Sequence, residues 1–158
     1  MRLTAPEVKK FVTPTVPGDK KVVGVQETSG QVYRSSEISD GLLLFIGLAT
    51  AAQLRVGTPS LVAIEEPERG IHPRRLRDVV DYFRRIAMRG TQVIMTTHSP
   101  LLLDQFRDLP ESVILFDRDE SGSHVKRLID VKDWEQLVEG SPLGEVWYSG
   151  LLGGIPKS

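Results

Sequence analysis

The feature that most constrains the fold is the segment LVAIEEP, residues 61–67, in which an apolar run passes directly into two adjacent carboxylates and a proline. A continuous apolar run of this length indicates a strand covered on both faces, as in parallel sheets flanked by helices. A carboxylate at the end of such a strand is costly to desolvate unless a cation, a proton or a hydrogen-bond donor meets it. The pair Glu65–Glu66 therefore marks either the place where the strand leaves the core or a site for a metal ion.

Helices and strands alternate along the chain on both sides of this segment. Ser39 and Asp40 predict the start of a helix that reaches about Arg55, and Pro73 opens an amphipathic helix that reaches about Met88. The other predicted elements are strands at 91–96, 112–116 and 124–129 and short helices at 101–106 and 133–139. This order is typical of an α/β domain with parallel neighbouring strands, in which ligands bind at the carboxyl ends of the strands.

The composition narrows the classes of protein to consider. A chain of 158 residues with 40% hydrophobic and 26% charged residues suits one globular domain, or part of a larger one. The net charge of -1 gives no global reason to expect polyanion binding. The absence of cysteine excludes disulfides and thiolate metal sites and agrees with a cytoplasmic location. We expect no membrane span, because the most apolar run, residues 41–54, is shorter than the roughly 20 residues that a span needs.

Four short motifs follow one another in an order that none of them explains alone. They are Ser39-Asp40-Gly41 before a helix, Glu65-Glu66 after a strand, ERGIHP at 68–73 and TTHSP at 96–100. Taken singly, they indicate a helix N-cap, a solvated strand end, a turn and a hydrogen-bonded histidine. Their shared order is joint evidence for one site at the carboxyl ends of two strands.

In this order, residues 35–100 resemble the C-terminal half of an ABC-type ATPase head, nearest to the RecF-like and SMC-like branch and to predicted bacterial ATPases of AAA type. ISDGL at 38–42 resembles the signature motif, LVAIEE resembles Walker B, EPERGIHP covers the D-loop and TTHSP resembles the switch region. The closing stretch PLGEVWYSGLLGG, residues 142–154, is similar to the tail of the same group. The resemblance implies an α/β, P-loop NTPase-like lobe with mainly parallel strands and flanking helices.

The resemblance also implies the catalytic roles. Glu65 would order the shell of a Mg²⁺ ion through water, because this ion tends to retain several of its waters. Glu66 would be the general base that polarises the water attacking ATP. His98 would contact the γ-phosphate, to which an imidazole N–H can donate a hydrogen bond.

The remaining motif residues are implied to act in a head-to-head homodimer. Ser39, Asp40 and Gly41 would face the ATP held by the opposite head, where a helix N-terminus provides an anion site. Asp40 would point away from the phosphates, capping its helix or meeting a basic residue of the partner. Arg69 and His72, in the D-loop, are candidates for interface residues and equally for simple turn residues.

The chain lacks the Walker A sequence GxxxxGK[ST], whose amides and lysine hold the phosphates in this family. Three interpretations remain open: a C-terminal fragment of a longer ATPase, one half of a split ATPase, or a degenerate module that docks without hydrolysis. Retention of both acids and the histidine favours the first two. The expected partner is then a Walker A-containing half, and we expect the chain alone to bind ATP weakly or not at all.

These observations predict one half-domain over residues 1–158, with an irregular segment at 1–20, a hairpin at 21–34, a core at 35–130 and a tail at 131–158. The predicted function is the signature, Walker B and switch half of an ABC-type ATPase in DNA repair, recombination, chromosome maintenance or phage defence. The alternatives are a non-catalytic interaction module and a metal-dependent nuclease that uses Glu65, Glu66 and Asp117. Nothing in the sequence shows a direct nucleic-acid contact.

Overall fold

The computed structural model describes residues 8–53 and 61–154 and divides the chain into two compact units. The N-terminal unit is Met1–Thr96 and the C-terminal unit is Thr97–Ser158. Among the helices in the described ranges, none is both long enough and apolar enough to cross a bilayer.

The N-terminal unit begins with short antiparallel strands. They are β1 (Val8–Val12), β2 (Thr15–Val16), β3 (Lys20–Lys21), β4 (Gly24–Glu27) and β5 (Val32–Arg34). β4 and β5 pair where the sequence predicts a hairpin, β1 adds to the other edge of β4, and β2 pairs with β3. The prediction of an irregular segment at 1–20 is wrong for β1, because the partner strand that stabilises it lies later in the chain. Residues 1–7 lie outside the described part.

The helix α1 (Asp40–Gln53) starts at the predicted position. Ser39 caps it, since the Ser39 hydroxyl oxygen accepts a hydrogen bond from the Leu42 N–H at 3.3 Å. Asp40 lies in the first turn, where a carboxylate is favoured by the helix dipole. The predicted end of this helix near Arg55 lies outside the described residues.

The centre of the N-terminal unit is a strand–helix–strand unit. Its elements are β6 (Leu61–Glu65), α2 (Leu76–Ala87) and β7 (Gln92–Thr96), with a 3-10 turn at Pro73–Arg75 before the helix. β6 and β7 are parallel, with Leu61 opposite Gln92 and Glu65 opposite Thr96. A parallel pair requires a crossover connection, which α2 supplies. The two strands therefore end level with each other at their carboxyl ends.

One face of the β6–β7 sheet packs against helices. Its buried cluster consists of Phe45 from α1, Ile64 from β6, and Val79, Tyr82 and Phe83 from α2. The rings of Phe45 and Tyr82 meet edge to face with centroids 5.5 Å apart. The three- and four-residue spacing of the apolar residues in α2 thus produces a helix whose apolar stripe covers one side of the sheet.

The other face of this sheet carries exposed side chains, and we call it the open face. It consists of Leu61, Ala63, Glu65, Gln92, Ile94 and Thr96. Leu61 is 48% exposed and Ile94 is 47% exposed. The prediction that these strands are covered on both faces is therefore wrong for the described residues, because their helices contribute only to the opposite face.

The C-terminal unit combines short helices with one hairpin. Its elements are α3 (Pro100–Leu103), β8 (Ile114–Asp119), β9 (Gly122–Arg127), α4 (Trp134–Leu137) and α5 (Leu143–Tyr148). Its core consists of Leu103, Val113, Leu115, Leu128, Val138, Leu143, Val146 and Leu152. β8 pairs with β9 across the predicted turn at Ser121–Gly122. Parallel pairing, which we expected to dominate, is therefore limited among the described strands to β6 and β7.

Candidate functional site

The two carboxylates after β6 differ in backbone conformation. Glu65 is the last residue of β6 and lies on the open face opposite Thr96. Glu66 has a φ of 43°, in the left-handed region that costs an L residue about 1 kcal/mol or more. Its N–H donates to the Thr96 carbonyl oxygen at 2.9 Å, and its own carbonyl accepts from the Arg69 N–H at 2.9 Å. The sheet and the following turn together hold Glu66 in a strained conformation of the kind found at functional sites.

The turn that follows the acids places Arg69 and His72 at the surface. Both side chains are exposed. The Nδ1 atom of His72 accepts a hydrogen bond from the Arg74 N–H at 3.2 Å, so this histidine caps the 3-10 turn Pro73–Arg75. With Nδ1 accepting, a neutral His72 ring carries its proton on Nε2. The turn role of His72 is thus observed, and its interface role stays a prediction.

The head of α1 and this turn contact each other at two glycines. A Cβ atom added to Gly41 would overlap the Gly70 carbonyl, and one added to Gly70 would lie 3.1 Å from the Gly41 nitrogen. Gly70 also has a φ of 72°, which favours glycine. The first motif, Ser39-Asp40-Gly41, and the third, ERGIHP, therefore contact each other in the N-terminal unit. Ser39 and Asp40 are exposed beside this contact, while Gly41 is buried in it.

His98 belongs to the C-terminal unit and lies between two residues that fix the backbone. The Thr97 hydroxyl oxygen accepts from the Ser99 N–H at 2.9 Å. The Ser99 hydroxyl oxygen in turn accepts from the Leu102 N–H at 3.3 Å and caps α3. The His98 side chain itself is exposed. The segment Thr97–Ser99 therefore presents an accessible imidazole on a hydrogen-bonded backbone.

Sequence reasoning missed the contacts that the tail makes with α3 and the residues after it. Asp104 Oδ1 accepts a hydrogen bond from the Gly144 N–H at 2.7 Å, although the two residues are 40 positions apart. Arg107 Nη2 donates to the Val138 carbonyl oxygen at 2.9 Å across 31 positions. No local pattern indicates such pairs. The only signal was Gly144 itself, which lies within the tail motif PLGEVWYSGLLGG.

Acidic residues of α2 pair with arginines of the same region. Arg75 and Asp78 approach to 3.5 Å, and Arg77 and Asp81 to 4.0 Å. Exposed pairs of this kind contribute little to stability, about 0.2–1 kcal/mol each. These contacts describe a solvated helix face and add no argument for nucleic-acid binding.

The donor chemistry of Glu65 fits a magnesium ion. Within the described residues, no group of three His, Asp or Glu side chains is arranged to hold a metal. Mg²⁺ commonly binds one or two carboxylates and takes its other ligands from water and substrate phosphates. A single exposed carboxylate at a strand end is compatible with that pattern. Asp117, the third acid of the nuclease alternative, lies opposite His124 in the β8–β9 hairpin.

Comparison with known families matches residues 2–104 to the family described as "AAA domain, putative AbiEii toxin, Type IV TA system". The match includes all four motifs.

Three curated relatives are ATP-binding proteins of the ABC type. The chain is 30% identical over 122 residues to the uncharacterized ABC transporter ATP-binding protein YdbJ of Bacillus subtilis (strain 168), covering 77% of this chain and 36% of that protein. It is 31% identical over 97 residues to the cell division ATP-binding protein FtsE of Mycobacterium tuberculosis, covering 61% of this chain and 40% of that protein. It is 30% identical over 100 residues to the energy-coupling factor transporter ATP-binding protein EcfA2 of Mycoplasmopsis pulmonis, covering 59% of this chain and 32% of that protein. The chain thus spans 36% to 40% of the length of the first two relatives.

One solved structure shares the fold over most of both chains. It is described as "Structural biochemistry of ATP-driven dimerization and DNA stimulated activation of SMC ATPases", and it superposes with a TM-score of 0.59. The superposition covers 87% of this chain and 85% of that chain at 13% sequence identity. Such a low identity is evidence for the fold alone. Together with the family match, it confirms a P-loop NTPase-like α/β fold, in which the described sheets are one parallel pair and three antiparallel sheets.

Proposed function

Because this chain belongs to the AAA-domain family that residues 2–104 match, we propose that it supplies the signature, Walker B and switch half of an ABC-type ATPase. Its resemblance to ABC-type and SMC-like ATPases is confirmed by the relatives and by the shared fold. ATP hydrolysis requires a Walker A-containing half, in the same protein or in a separate chain. The chain alone is expected to be inactive.

The position of Glu65 on the open face carries this proposal. Ligands of parallel sheets bind at the carboxyl ends of the strands, and Glu65 and Glu66 follow β6 at that end. Glu65 shares its face with Leu61 and Ile94, whose apolar side chains are 48% and 47% exposed. A second half that covers these apolar side chains would place its phosphate-binding loop on the same face as Glu65. The open face therefore supports a site that two halves complete.

Each candidate residue has a distinct task in this proposal. Glu66 accepts the proton of the attacking water, and its backbone bonds to Thr96 and Arg69 keep the group in place. Glu65 would hold Mg²⁺ through water, and the bound ion would neutralise charge on the phosphate oxygens. His98 donates a hydrogen bond to the γ-phosphate from a segment whose backbone is fixed by Thr97 and Ser99.

The surface formed by α1 and the turn after β6 is assigned to a head-to-head homodimer. Gly41 and Gly70 pack against each other, so that the signature and the D-loop form one surface. Ser39, Asp40, Arg69 and His72 are exposed on the same two segments. A helix N-terminus presents free N–H groups to an anion, which supports a contact with the ATP of the opposite head. The ATP-driven dimerization named for the SMC ATPase supports the same arrangement.

The cellular roles proposed for this ATPase are those that its resemblance implies, namely DNA repair, recombination, chromosome maintenance or phage defence. The proposed location is the cytoplasm.

The decisive experiment measures ATP hydrolysis by the chain combined with a polypeptide that carries the Walker A sequence GxxxxGK[ST]. Glu66→Gln should lower kcat about a hundredfold or more, because an amide cannot accept the proton of the attacking water. The matched control is Glu111→Gln, an exposed glutamate in the turn Pro110–Ser112, which should leave kcat unchanged.

Two results would overturn parts of the proposal. Normal hydrolysis by the Glu66→Gln complex would contradict the general-base role of Glu66. Stable association of the wild-type halves without any hydrolysis would favour the alternative function, a non-catalytic interaction module derived from an ABC ATPase lobe.

A further inference from the structure

We propose that residues 142–152, within the C-terminal tail, position the switch histidine His98 by holding the first turn of α3 through Gly144 and Asp104. This inference rests on the proposed function, because it takes His98 to be the group that contacts the γ-phosphate. It adds a task for a segment that lies outside the four motifs of the candidate site.

The first contact is a direct approach of two backbones. A Cβ atom added to Gly144 would overlap the Pro100 carbonyl group and would lie 2.6 Å from the Pro100 Cα atom. Pro100 is the first residue of α3, and Gly144 lies in the first turn of α5. The start of the tail helix therefore rests on the start of α3, and any larger residue at position 144 has to displace one of them.

The second contact is a charge-assisted hydrogen bond. Asp104 Oδ1, directly after α3, accepts from the Gly144 N–H at 2.7 Å in a partly buried position. This N–H lies in the first turn of a helix, where the N–H groups lack acceptors within the helix. Leu103 of α3 and Leu143 of α5 are 8% and 1% exposed and belong to the same buried cluster. Packing and hydrogen bonding thus fix α5 against α3 at the same point.

The path from this junction to His98 is short. His98 lies two residues before Pro100, and Ser99 between them caps α3 through its hydroxyl oxygen. Thr97 on the other side of His98 accepts the Ser99 N–H. A shift of α3 therefore changes the Ser99 cap and the backbone that carries the imidazole. Catalytic groups lose much of their effect when they are displaced by about 1 Å.

The structural half of the proposal is tested by amide hydrogen exchange in the full chain. Asp104→Ala should speed exchange of the Ser99, Leu102 and Leu103 amides about tenfold, because a hydrogen bond to a charged acceptor is lost. Asp104→Asn should restore slow exchange, since its amide oxygen still accepts from Gly144. The Leu128 amide, bonded to the Val113 carbonyl at 2.9 Å, is the internal reference and should not change. Unchanged exchange at Ser99 in Asp104→Ala would overturn the linkage.

The effect of these contacts on activity is tested by the ATPase kinetics of the chain combined with its Walker A half. Asp104→Ala should lower kcat about tenfold with the KM for ATP within about twofold, as expected when a late contact with the γ-phosphate is weakened. Gly144→Ala should also lower kcat, because its Cβ atom would displace the start of α3. Asp104→Asn should keep most of the activity. The control Glu145→Gln, an exposed residue beside Gly144 on α5, should leave kcat unchanged.

A double variant separates positioning from a general loss of folded protein. In a His98→Ala background, Asp104→Ala should cause no further loss of kcat, because both changes act through the same group. A further loss of about tenfold in that background would overturn the positioning role. Absence of hydrolysis by the wild-type complex would refute the proposed function, whereas the exchange experiment would still decide whether the tail holds the His98 segment.

Discussion

The two units of this chain differ in how far they bury the apolar side chains of their strands and helices. In the C-terminal unit, Leu128 and Leu152 are 0% exposed, and the tail supplies part of the core that buries them. In the N-terminal unit, Leu61 at the start of β6 and Ile94 in the middle of β7 remain about half exposed on the open face. The difference indicates that the segment with the candidate switch residue builds its own core, whereas the strand pair beside the candidate acids has one face available to a partner.

Exposed apolar side chains also occur in the C-terminal unit, outside its core. The outer face of the β8–β9 hairpin also carries exposed apolar side chains, and Phe116 is 65% exposed. That hairpin nevertheless contributes Leu115, on its other face, to the buried cluster of its unit. Surface apolar residues are common in folded proteins, so the position of the open face beside Glu65 is the informative feature.

The largest expected effect tests the contrast between the two units. Leu128→Ala should lower the free energy of unfolding of the C-terminal unit by about 2–5 kcal/mol, because it creates a cavity in an enclosed core. Leu61→Ala should cost less than about 1 kcal/mol, since its side chain is already half exposed. Both tryptophans of the chain, Trp134 and Trp147, lie in the C-terminal unit, so denaturation followed by their fluorescence measures the effect of Leu128→Ala. Leu61 lies in the N-terminal unit, so denaturation followed by far-ultraviolet circular dichroism measures the effect of Leu61→Ala. Equal effects of the two substitutions would remove the contrast.

The second prediction concerns the contact between the two glycines of the N-terminal unit. Gly41→Ala should destabilise that unit by about 1–3 kcal/mol, because the new Cβ overlaps the Gly70 carbonyl. Gly47→Ala is the matched control on the same helix. A Cβ there meets no atom within 4 Å, so alanine should stabilise the helix by about 0.5–1 kcal/mol. Thermal unfolding followed by far-ultraviolet circular dichroism checks both, and a neutral Gly41→Ala would contradict the close approach.

The third prediction tests whether the open face receives a partner. Ile94→Glu should weaken binding of the Walker A half at least about tenfold, because association would bury an unpaired charge. Val23→Glu is the control, since Val23 is 49% exposed but lies outside the open face. Isothermal titration calorimetry measures both affinities, and the free chain should keep its stability within about 0.5 kcal/mol. Equal affinity of Ile94→Glu and the wild type would show that the open face is not the binding surface.

The smallest effect concerns the hairpin of the C-terminal unit in acid. Hydrogen bonds from the Ser121 hydroxyl and then from His124 hold the pKa of Asp119 well below its ordinary value of 3.8. A carboxyl group whose pKa is lower in the folded state than in the unfolded state stabilises the folded state at a pH above the unfolded pKa. This stabilisation is lost as the pH falls from the unfolded pKa to the folded pKa. Because the group is exposed, the effect should be small.

Tryptophan-monitored melting of wild type and Asp119→Asn between pH 5 and pH 2 tests this sign. The wild type should lose slightly more stability on acidification than the variant does. Glu120→Gln, at an exposed neighbour in the same turn, should follow the wild type. A variant that loses as much as the wild type would contradict the stabilising role of Asp119.

Much of the fold was predictable because its signals are local. The three- and four-residue spacing of apolar residues in α2 lies between two apolar runs, and this pattern predicted a parallel strand pair that the structure has. Ser39 predicted the start of α1 because a hydroxyl at that position satisfies a free N–H. The order of the four motifs predicted the ATPase family that the match to residues 2–104 confirms. The roles of the individual site residues stay predictions.

The sequence by itself thus determined the strand–helix–strand unit, the cap of α1 and the family, since neighbouring residues encode them. Only the tertiary structure decided that β1 joins β4, that Gly41 meets Gly70 and that Asp104 binds Gly144 across 40 positions. It also decided that the β6–β7 sheet is covered on one face. The sequence of an apolar strand is the same whether one layer or two layers cover it. Hydrophobic residues show that a strand tends to be buried, but they do not show which element buries it.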